Sequence, residues 1–288
     1  MVDDFFEGVE QFESSLLGRS APMPTFYRDA RSFTVVLPAN LMALKRILPD
    51  PRFVPAQIFP GIGGINLTAF EYRETDIDPY NEFAIGILLN SPHFMPIPGY
   101  NILRQLRQGM FCTYIQHLPV TTEIAREGGI QLFNFPKFLA SIDFEDSGDW
   151  ISCSLAEGDD LICRVRGRKI PARKSGTIKF LSSLYQDMQP QQAEFKINAR
   201  EHGVAPGPGR ASVELGSRHP FARELSSLLL SRQPLVYIYM PSMQGILYGP
   251  EHLSLASVAF FLERGAGIPL DDLKSLLAKQ GSGKKKEQ

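Results

Sequence analysis

Residues 150–165 read Trp-Ile-Ser-Cys-Ser-Leu-Ala-Glu-Gly-Asp-Asp-Leu-Ile-Cys-Arg-Val, and this stretch shows which kind of fold the chain adopts. Two strand-like runs, 152–155 and 161–165, flank the turn sequence Glu-Gly-Asp-Asp at 157–160. Apolar, β-branched runs joined by a short segment with glycine and aspartate are the usual signal of a β-hairpin. The sequence therefore predicts that these two runs are the arms of an antiparallel hairpin.

Similar runs on both sides extend this pattern along most of the chain. They occupy 32–37, 65–72, 83–89, 110–118, 193–198, 211–215 and 235–240. Strands do not alternate regularly with helices, as they would in a parallel α/β sheet. We predict a mainly β, β-rich α+β fold: a single barrel-like antiparallel domain with peripheral helices.

The helices are predicted mostly outside this β domain. A helix after Asn40 has a capping residue and ends before Pro49, and a helix over 219–231 has proline in its first turn. Apolar residues at helical spacing over 3–18 predict an N-terminal helical extension, residues 1–24. We place the β domain at 25–255, a C-terminal helical extension at 256–280 and a disordered tail at 281–288.

Charge and cysteine content exclude several classes of protein. The 30 Lys and Arg residues against 31 Asp and Glu residues leave a net charge of −1, so no nucleic-acid partner is expected. Three cysteines are too few for a disulfide framework, and no run of about 18 apolar residues predicts a membrane span. The acidic start of the sequence does not resemble a secretory leader, and we expect a cytoplasmic protein.

Common metal and cofactor motifs are missing from the sequence. The five histidines show no i, i+4 pair and no Cys-x-x-Cys occurs, so we expect no metal site. The glycine-rich stretches lack the context of a phosphate loop, and no Gly-x-Ser-x-Gly motif is present. We therefore expect no cofactor.

One lysine stands in an unusually apolar setting. Lys137 lies between Pro136 and Phe138, with further apolar side chains at 133, 135 and 139. If this segment points inward, desolvation disfavours the ammonium ion and favours the free amine, the form that attacks a ketone. The alternative is a surface lysine whose stem lies on Phe135 while its amine stays in water.

Several segments, in order, resemble the acetoacetate decarboxylase superfamily. Residues 125–127, Ala-Arg-Glu, and 135–137, Phe-Pro-Lys, resemble its Gly-Arg-Glu and aromatic-Pro-Lys signature. Residues 43–49 resemble its early helix, 80–82 its Tyr-x-Glu segment, and 209–220 its late strand and histidine-bearing turn. The resemblance implies a cone-shaped β-barrel with the lysine inside, assembled into homo-oligomers.

The resemblance also implies roles for three residues. Lys137 would form the Schiff base, Glu82 would steady the iminium or move protons, and Arg31, or Arg28 near it, would bind the substrate carboxylate. For Glu82 and Arg31 the alternatives are a glutamate at a strand entrance and a surface salt bridge. A one-residue slip on a strand would invert the side to which Arg31 faces.

The sequence departs from the family pattern at three places, one of which is a spacing between Arg126-Glu127 and Lys137 that is several residues longer. Phe138 stands where the best-known members carry a second lysine. Burial alone must then favour the uncharged amine of Lys137, because no neighbouring cation contributes. The position of the second family glutamate falls near Asn66 or Leu67, and Glu71 could substitute only through a larger gap.

These features predict a Schiff-base-forming lyase that decarboxylates a β-keto acid through an iminium at Lys137. Its partner would be a small-molecule keto acid. Two alternatives stay open: an aldolase or dehydratase that acts on a keto acid through the same lysine, and a non-catalytic barrel that binds a small acid.

Overall fold

The computed structural model describes residues 5–186 and 189–252. Within them lie fourteen strands: β1 Ser15–Leu16, β2 Arg19–Ser20, β3 Thr25–Asn40, β4 Ile62–Thr75, β5 Tyr80–Leu88, β6 Met110–His117, β7 Ser141–Ser147, β8 Trp150–Glu157, β9 Asp160–Arg168, β10 Thr177–Gln186, β11 Gln189–Pro206, β12 Ala211–Leu215, β13 Val236–Leu247 and β14 Glu251–His252. Four helices accompany them: α1 Leu41–Ile47, α2 Tyr100–Gln108, α3 Glu123–Gln131 and α4 Pro220–Leu228.

Seven strands close into a barrel in the order β10-β6-β5-β4-β3-β13-β11, because β11 also pairs with β10. The short β14 pairs with β11 beside this ring. All neighbouring barrel strands are antiparallel except β6 and β10, which are parallel. The predicted β-rich barrel is confirmed, with one parallel pair that the sequence pattern did not predict.

A second sheet of four antiparallel strands, β12-β9-β8-β7, packs on the outside of the barrel. Its central pair, β8 and β9, is the hairpin predicted from residues 152–165. The buried side chains of β8 alternate with less buried ones, as expected where only one face of a sheet is covered. They form one hydrophobic core with outward-facing barrel residues such as Phe33, Val35 and Leu67.

The inward-facing side chains form a second core inside the barrel. On β4, Ile65 and Leu67 face the outer sheet whereas Phe70 and Tyr72 face inward, so successive residues serve different cores. Because both faces of β4 are covered, its central residues are buried almost without a break. This interior is aromatic and encloses the candidate site.

Two predicted helices are confirmed. The Asn40 side chain accepts a hydrogen bond of 2.9 Å from the Ala43 amide and caps α1, and Pro220 occupies the first turn of α4. Helices α2 and α3 were not predicted. Helix α3 contains Gly128 and Gly129, and the low helix propensity of glycine explains why the sequence did not predict a helix there.

The predicted N-terminal helix over 3–18 is wrong for the residues described. Residues 15–20 form the two-stranded hairpin β1–β2, whose turn contains Leu17 and Gly18 at φ values of 52° and 72°. A left-handed backbone at this point ends any helix. Leu16 is nevertheless buried, whereas Phe12 and Leu17 are exposed, so only part of the apolar pattern packs onto the barrel domain.

The predicted C-terminal helix over 256–280 and the tail over 281–288 lie outside the described residues. The boundaries 25 and 255 of the β domain stay a prediction, although barrel strand β3 begins at Thr25. No helix in 5–186 or 189–252 combines the length and apolar character needed to cross a membrane.

Candidate active site

Lys137 is held by a strand-like segment that follows α3. The Val120 amide donates to the Phe138 carbonyl at 2.9 Å, and the Ala140 amide donates to the Val120 carbonyl at 3.1 Å. The stretch 118–120 is bonded in turn to β5, since the Phe83 amide donates to the Pro119 carbonyl at 3.0 Å. The lysine is therefore tied by backbone hydrogen bonds to the strand that carries Glu82.

Lys137 and Glu82 form a buried ion pair. The distance from Lys137 Nζ to Glu82 Oε2 is 2.7 Å, and only 3% and 9% of the two side chains is exposed. The Tyr72 hydroxyl donates to the other carboxylate oxygen, Oε1, at 3.2 Å. Glu82 is thus fixed through both oxygens, with the amine on one of them.

Three tyrosines surround this pair. The Tyr27 and Tyr80 hydroxyls are 3.0 Å apart, and Lys137 Nζ lies 5.5 Å from the centre of the Tyr80 ring. Burial raises the pKa of Tyr27, Tyr72 and Tyr80, and the nearby charge of Glu82 raises each further. These phenols stay neutral near pH 7 and serve as hydrogen-bonding groups.

The pair lines a cavity of about 60 Å³ inside the barrel, which is room for a few water molecules or a small organic acid. Its wall is mostly apolar and aromatic, with uncharged polar groups. Lys137 and Glu82 are the charged side chains among the described lining residues. The lining residues are Tyr27, Asn66, Thr68, Phe70, Tyr72, Glu82, Ala84, Thr113, Ile115, Leu118, Phe135, Lys137, Phe180, Ser182, Phe195 and Leu247.

Gly129 of α3 makes room for the lysine. A Cβ atom at this position would lie 2.2 Å from Lys137 Cδ and 2.4 Å from its Cε. The Phe135 amide also donates to the Gly129 carbonyl at 2.8 Å. Sequence reasoning missed this residue, and the pair of glycines shortly before the lysine was the available signal.

The structure brings Lys137 and Glu82 together but places Arg31 elsewhere. Arg31 Nε lies 2.6 Å from Glu71 Oε2, and its Nη1 lies 2.8 Å from Asp146 Oδ2 on β7. Its guanidinium also stacks over Phe144 of the outer sheet. Arg31 does not line the cavity and connects the barrel to the second sheet.

Irregular pairing of β3 accounts for the position of Arg31. The register of β3 against β4 shifts on both sides of Asp29, and the two shifts cancel, because Tyr27 pairs with Thr75 and Ala30 with Tyr72, three residues apart on each strand. Tyr27 and Ala30 both belong to the inner core, so simple alternation from Tyr27 fails. Arg31 then faces the outer side with Phe33.

The other positions considered from the sequence are also separated. Arg28 pairs with Asp76. Asn66 lines the cavity where the second family glutamate was expected, whereas Leu67 faces the outer core and Glu71 pairs with Arg31.

Phe138 faces away from the cavity. Its ring packs 5.4 Å from that of Phe221 and lies against the outer core. Adjacent residues on an extended segment point to opposite sides, so Phe138 cannot contribute to the wall that Lys137 enters. Phe135, two residues before the lysine, supplies that wall instead.

Metal and thiol chemistry find no support in the described part of the chain. No group of three or more His, Cys, Asp or Glu side chains there could hold a metal ion. Burial raises the pKa of Cys112 and of Cys163 to about 12, so neither thiol ionises near pH 7.

Comparisons with known proteins agree on one family. The family model for acetoacetate decarboxylase matches residues 14–244. Acetoacetate decarboxylase from Legionella pneumophila subsp. pneumophila str. Philadelphia 1 superimposes with a TM-score of 0.57 at 14% identity, over 80% of this chain and 87% of that chain. No curated protein gives a significant match to the sequence.

Two further solved structures share the fold. The enduracididine biosynthesis enzyme MppR, complexed with the condensation product of pyruvate and imidazole 4-carboxaldehyde, has a TM-score of 0.54 at 11% identity, over 80% of this chain and 88% of that chain. An acetoacetate decarboxylase-like enzyme from Sphingomonas wittichii RW1 has a TM-score of 0.50 at 15% identity, over 80% and 92%.

Proposed function

The chain belongs to the acetoacetate decarboxylase family, and from this premise we propose that it is a Schiff-base-forming lyase that decarboxylates a small β-keto acid at Lys137. The observation that carries the proposal is the amine of Lys137, buried on the wall of a largely apolar cavity and 2.7 Å from a carboxylate. An amine in such a place can meet a ketone away from bulk water.

The first step of the proposed mechanism frees the amine. Glu82 Oε2 takes a proton from the Lys137 ammonium along the 2.7 Å contact, which leaves an amine and a carboxylic acid. The pair loses both charges at once, and an apolar cavity disfavours charge. No proton has to leave the site for this step.

The amine then forms a Schiff base with the substrate. Its lone pair attacks the keto carbon and a proton passes from the nitrogen to the oxygen. Glu82 then donates its proton so that the hydroxyl leaves as water, which leaves an iminium between Lys137 and the substrate and a carboxylate on Glu82. The carbon–carbon bond to the carboxylate breaks, its electron pair moves toward the iminium nitrogen, and CO₂ leaves. The product on the lysine is a neutral enamine.

Protonation and hydrolysis complete the cycle. Glu82, a carboxylate after the iminium has formed, takes up a proton from water and is placed to pass it to the enamine carbon. The resulting iminium adds water and releases a ketone, which restores the lysine amine. During these steps the neutral phenol of Tyr72 holds Glu82 by a hydrogen bond, and the ring of Tyr80 packs beside the amine.

Reductive trapping tests the proposal. The protein is incubated with a panel of 2-keto and 3-keto acids and reduced with borohydride, and the modified peptide is identified by mass spectrometry. We expect an adduct on Lys137 and none in Lys137→Met, which has no amine. Lys179→Met removes an exposed lysine of β10 and should keep the adduct.

The Lys137→Met change leaves Glu82 buried without a cation, which can destabilise the barrel. The double variant Lys137→Met/Glu82→Gln removes both charges, and circular dichroism checks that each variant is folded. A wild-type adduct on another lysine, or none with any keto compound, would overturn the proposal. Absence of any adduct would favour the non-catalytic binder of a small acid.

A second candidate reaction uses the same lysine for aldol or dehydration chemistry on a keto acid. Two observations favour it: no arginine is among the described residues that line the cavity, and MppR shares the fold and was solved with a condensation product. An enamine can attack an aldehyde as readily as it takes up a proton. The β-keto acids that label Lys137 are then incubated without borohydride. Release of CO₂ supports decarboxylation, whereas consumption of an added aldehyde supports the alternative.

The assembly and location of the protein remain predictions. The family resemblance implies a homo-oligomer, which light scattering on the purified chain would measure. The expected cytoplasmic location rests on the sequence, and cell fractionation would test it.

A further inference from the structure

The cavity has a second polar end, remote from the lysine. Glu82 pairs with Phe70 across β4 and β5, whereas Gly86, four residues further along β5, pairs with Asn66. Four residues of a strand span about 13 Å. The lining residues at this level are uncharged, and they include Asn66, Thr113 and Ser182.

Two hydrogen-bond donors at this end lack good partners. Thr113 Oγ1 lies 3.0 Å from Asn66 Oδ1, so the oxygen of the amide is occupied. Asn66 Nδ2 makes one long contact, 3.5 Å to Thr68 Oγ1, which leaves one N–H for the cavity. In the described part of the chain, the Ser182 hydroxyl lines the cavity and makes no side-chain hydrogen bond.

Small residues keep this end accessible. A Cβ atom on Gly86 would lie 2.4 Å from Thr113 Oγ1 and 2.8 Å from Asn66 Oδ1, so the glycine lets these groups meet. Ala84, halfway along β5 between Glu82 and Gly86, has the smallest side chain on the lining. The inward face of β5 therefore carries little side-chain volume between Glu82 and Gly86, which leaves open space between the charged end and the polar end of the cavity.

We propose that Asn66 Nδ2 and Ser182 Oγ form a distal subsite for an uncharged oxygen, a hydroxyl or a carbonyl, at the far end of the substrate. This inference rests on the proposed function and deepens it, since it makes the substrate a keto acid with a second oxygen function on its tail. A carboxylate is disfavoured there because no described lining residue at that level carries a positive charge.

The test compares matched substrates that differ in one hydroxyl. A series of ω-hydroxy-3-oxo acids of increasing length is paired with 3-oxo acids that lack the hydroxyl. The concentration that gives half-maximal borohydride labelling of Lys137 is measured for each. We expect this concentration to be about 3- to 10-fold lower for the best ω-hydroxy acid than for its partner without the hydroxyl, which is the effect of one or two neutral hydrogen bonds.

Ser182→Ala should remove this preference. Ser183→Ala is the matched control, since Ser183 is the next residue of β10, is also buried and does not line the cavity. The control should keep the preference of the wild type. Equal labelling by both members of every pair, with Ser182→Ala unchanged, overturns the subsite and leaves the proposed function intact.

A second readout does not depend on the Schiff base. Calorimetry on Lys137→Met/Glu82→Gln measures the reversible binding of the same pairs. Tighter binding of the hydroxylated member, lost on adding Ser182→Ala, supports the subsite even if no compound labels Lys137, a result that would overturn only the proposed function. Equal binding of both members overturns the subsite.

Discussion

At the scale of single residues, the Lys137–Glu82 pair is better suited to chemistry than to stability. Removing two charges from water costs more than their attraction returns in many buried pairs. Here both side chains are almost fully buried, and the surrounding groups are neutral phenols and apolar rings. In the proposed mechanism the pair exchanges one proton and becomes neutral, which keeps an amine available for the substrate.

Glu82→Gln tests the role of this carboxylate. The amide keeps an oxygen for the Tyr72 hydroxyl but cannot take the proton of the lysine, so we expect the turnover of the best keto acid to fall. Loss of a general acid or base typically reduces a rate by about 10²- to 10⁴-fold. Steady-state turnover, measured as CO₂ or ketone released, gives the comparison.

Glu74→Gln is the control for that change, since Glu74 is an exposed carboxylate on β4. It should keep the rate of the wild type. A Glu82→Gln rate within about twofold of the wild type would show that another group moves the proton.

At the scale of elements, helix α3 leaves room for the lysine because Gly129 has no side chain. Gly129 faces the stem of Lys137 so closely that no side chain fits between them. Its neighbour Gly128 faces only the tip of Leu16, from the N-terminal hairpin. The two glycines lower the helix propensity of α3, and one of them gives the lysine its path into the barrel.

Gly129→Ala should therefore disable the site without unfolding the protein. The added methyl would meet Lys137 Cδ, so the lysine must change rotamer and its amine must leave Glu82. We expect borohydride labelling of Lys137 to fall by at least about tenfold, because a reacting group displaced by about 1 Å can lose 10²-fold in rate. Peptide mass spectrometry measures the labelled fraction.

Gly128→Ala provides the matched control on the same helix. Both changes raise the helix propensity, but only Gly129→Ala reaches the lysine. Labelling of Gly129→Ala at the level of Gly128→Ala would contradict the packing argument.

At the scale of the whole molecule, the two sheets are joined by charge as well as by the outer core. Asp146 of β7 binds Arg31 of the barrel and also Lys169, which follows β9. Burial alone would raise the pKa of Asp146, but hydrogen bonds from Lys169 and Arg31 hold it below its ordinary value. The carboxylate is therefore more acidic in the folded chain than in the unfolded one.

This shift predicts how stability changes with pH. A carboxyl group with a lowered folded-state pKa stabilises the fold above its unfolded pKa of about 3.9, and that contribution is lost as the pH falls through the lower folded value. Asp146→Asn should have a lower urea midpoint than the wild type near pH 6. The difference should shrink as the pH approaches about 3.

Asp149→Asn is the control, because Asp149 is an exposed aspartate in the turn between β7 and β8. Its urea midpoint should follow the wild type across the range. A difference between Asp146→Asn and the wild type that stays constant down to about pH 3 would exclude the titration of Asp146 as its cause.

Local patterns in the sequence determined the β-rich class, the hairpin of β8 and β9, the cap of α1 and the family to which the chain belongs. Each depends on residues close together in the chain, where alternation, turn residues and capping act directly. Lys137 was singled out as a candidate by the apolar residues beside it and by the family resemblance, and its catalytic role stays a prediction. Where local signals were ambiguous, as in the apolar residues over 3–18, the prediction of a helix was wrong.

Only the tertiary structure decided what surrounds the lysine. Glu82 is 55 residues away in sequence yet 2.7 Å away in space. The family resemblance implied a role for Glu82, but contact between separate strands leaves no periodic pattern from which their distance could be predicted. The irregular pairing of β3 between Tyr27 and Ala30 breaks the alternation of its side chains, so Arg31 faces the outer sheet and not the cavity. The division of the strands between a barrel and a second sheet likewise depends on which sheet faces pack together. The alternation of side chains along a strand is the same in both sheets, so it does not show to which sheet a strand belongs.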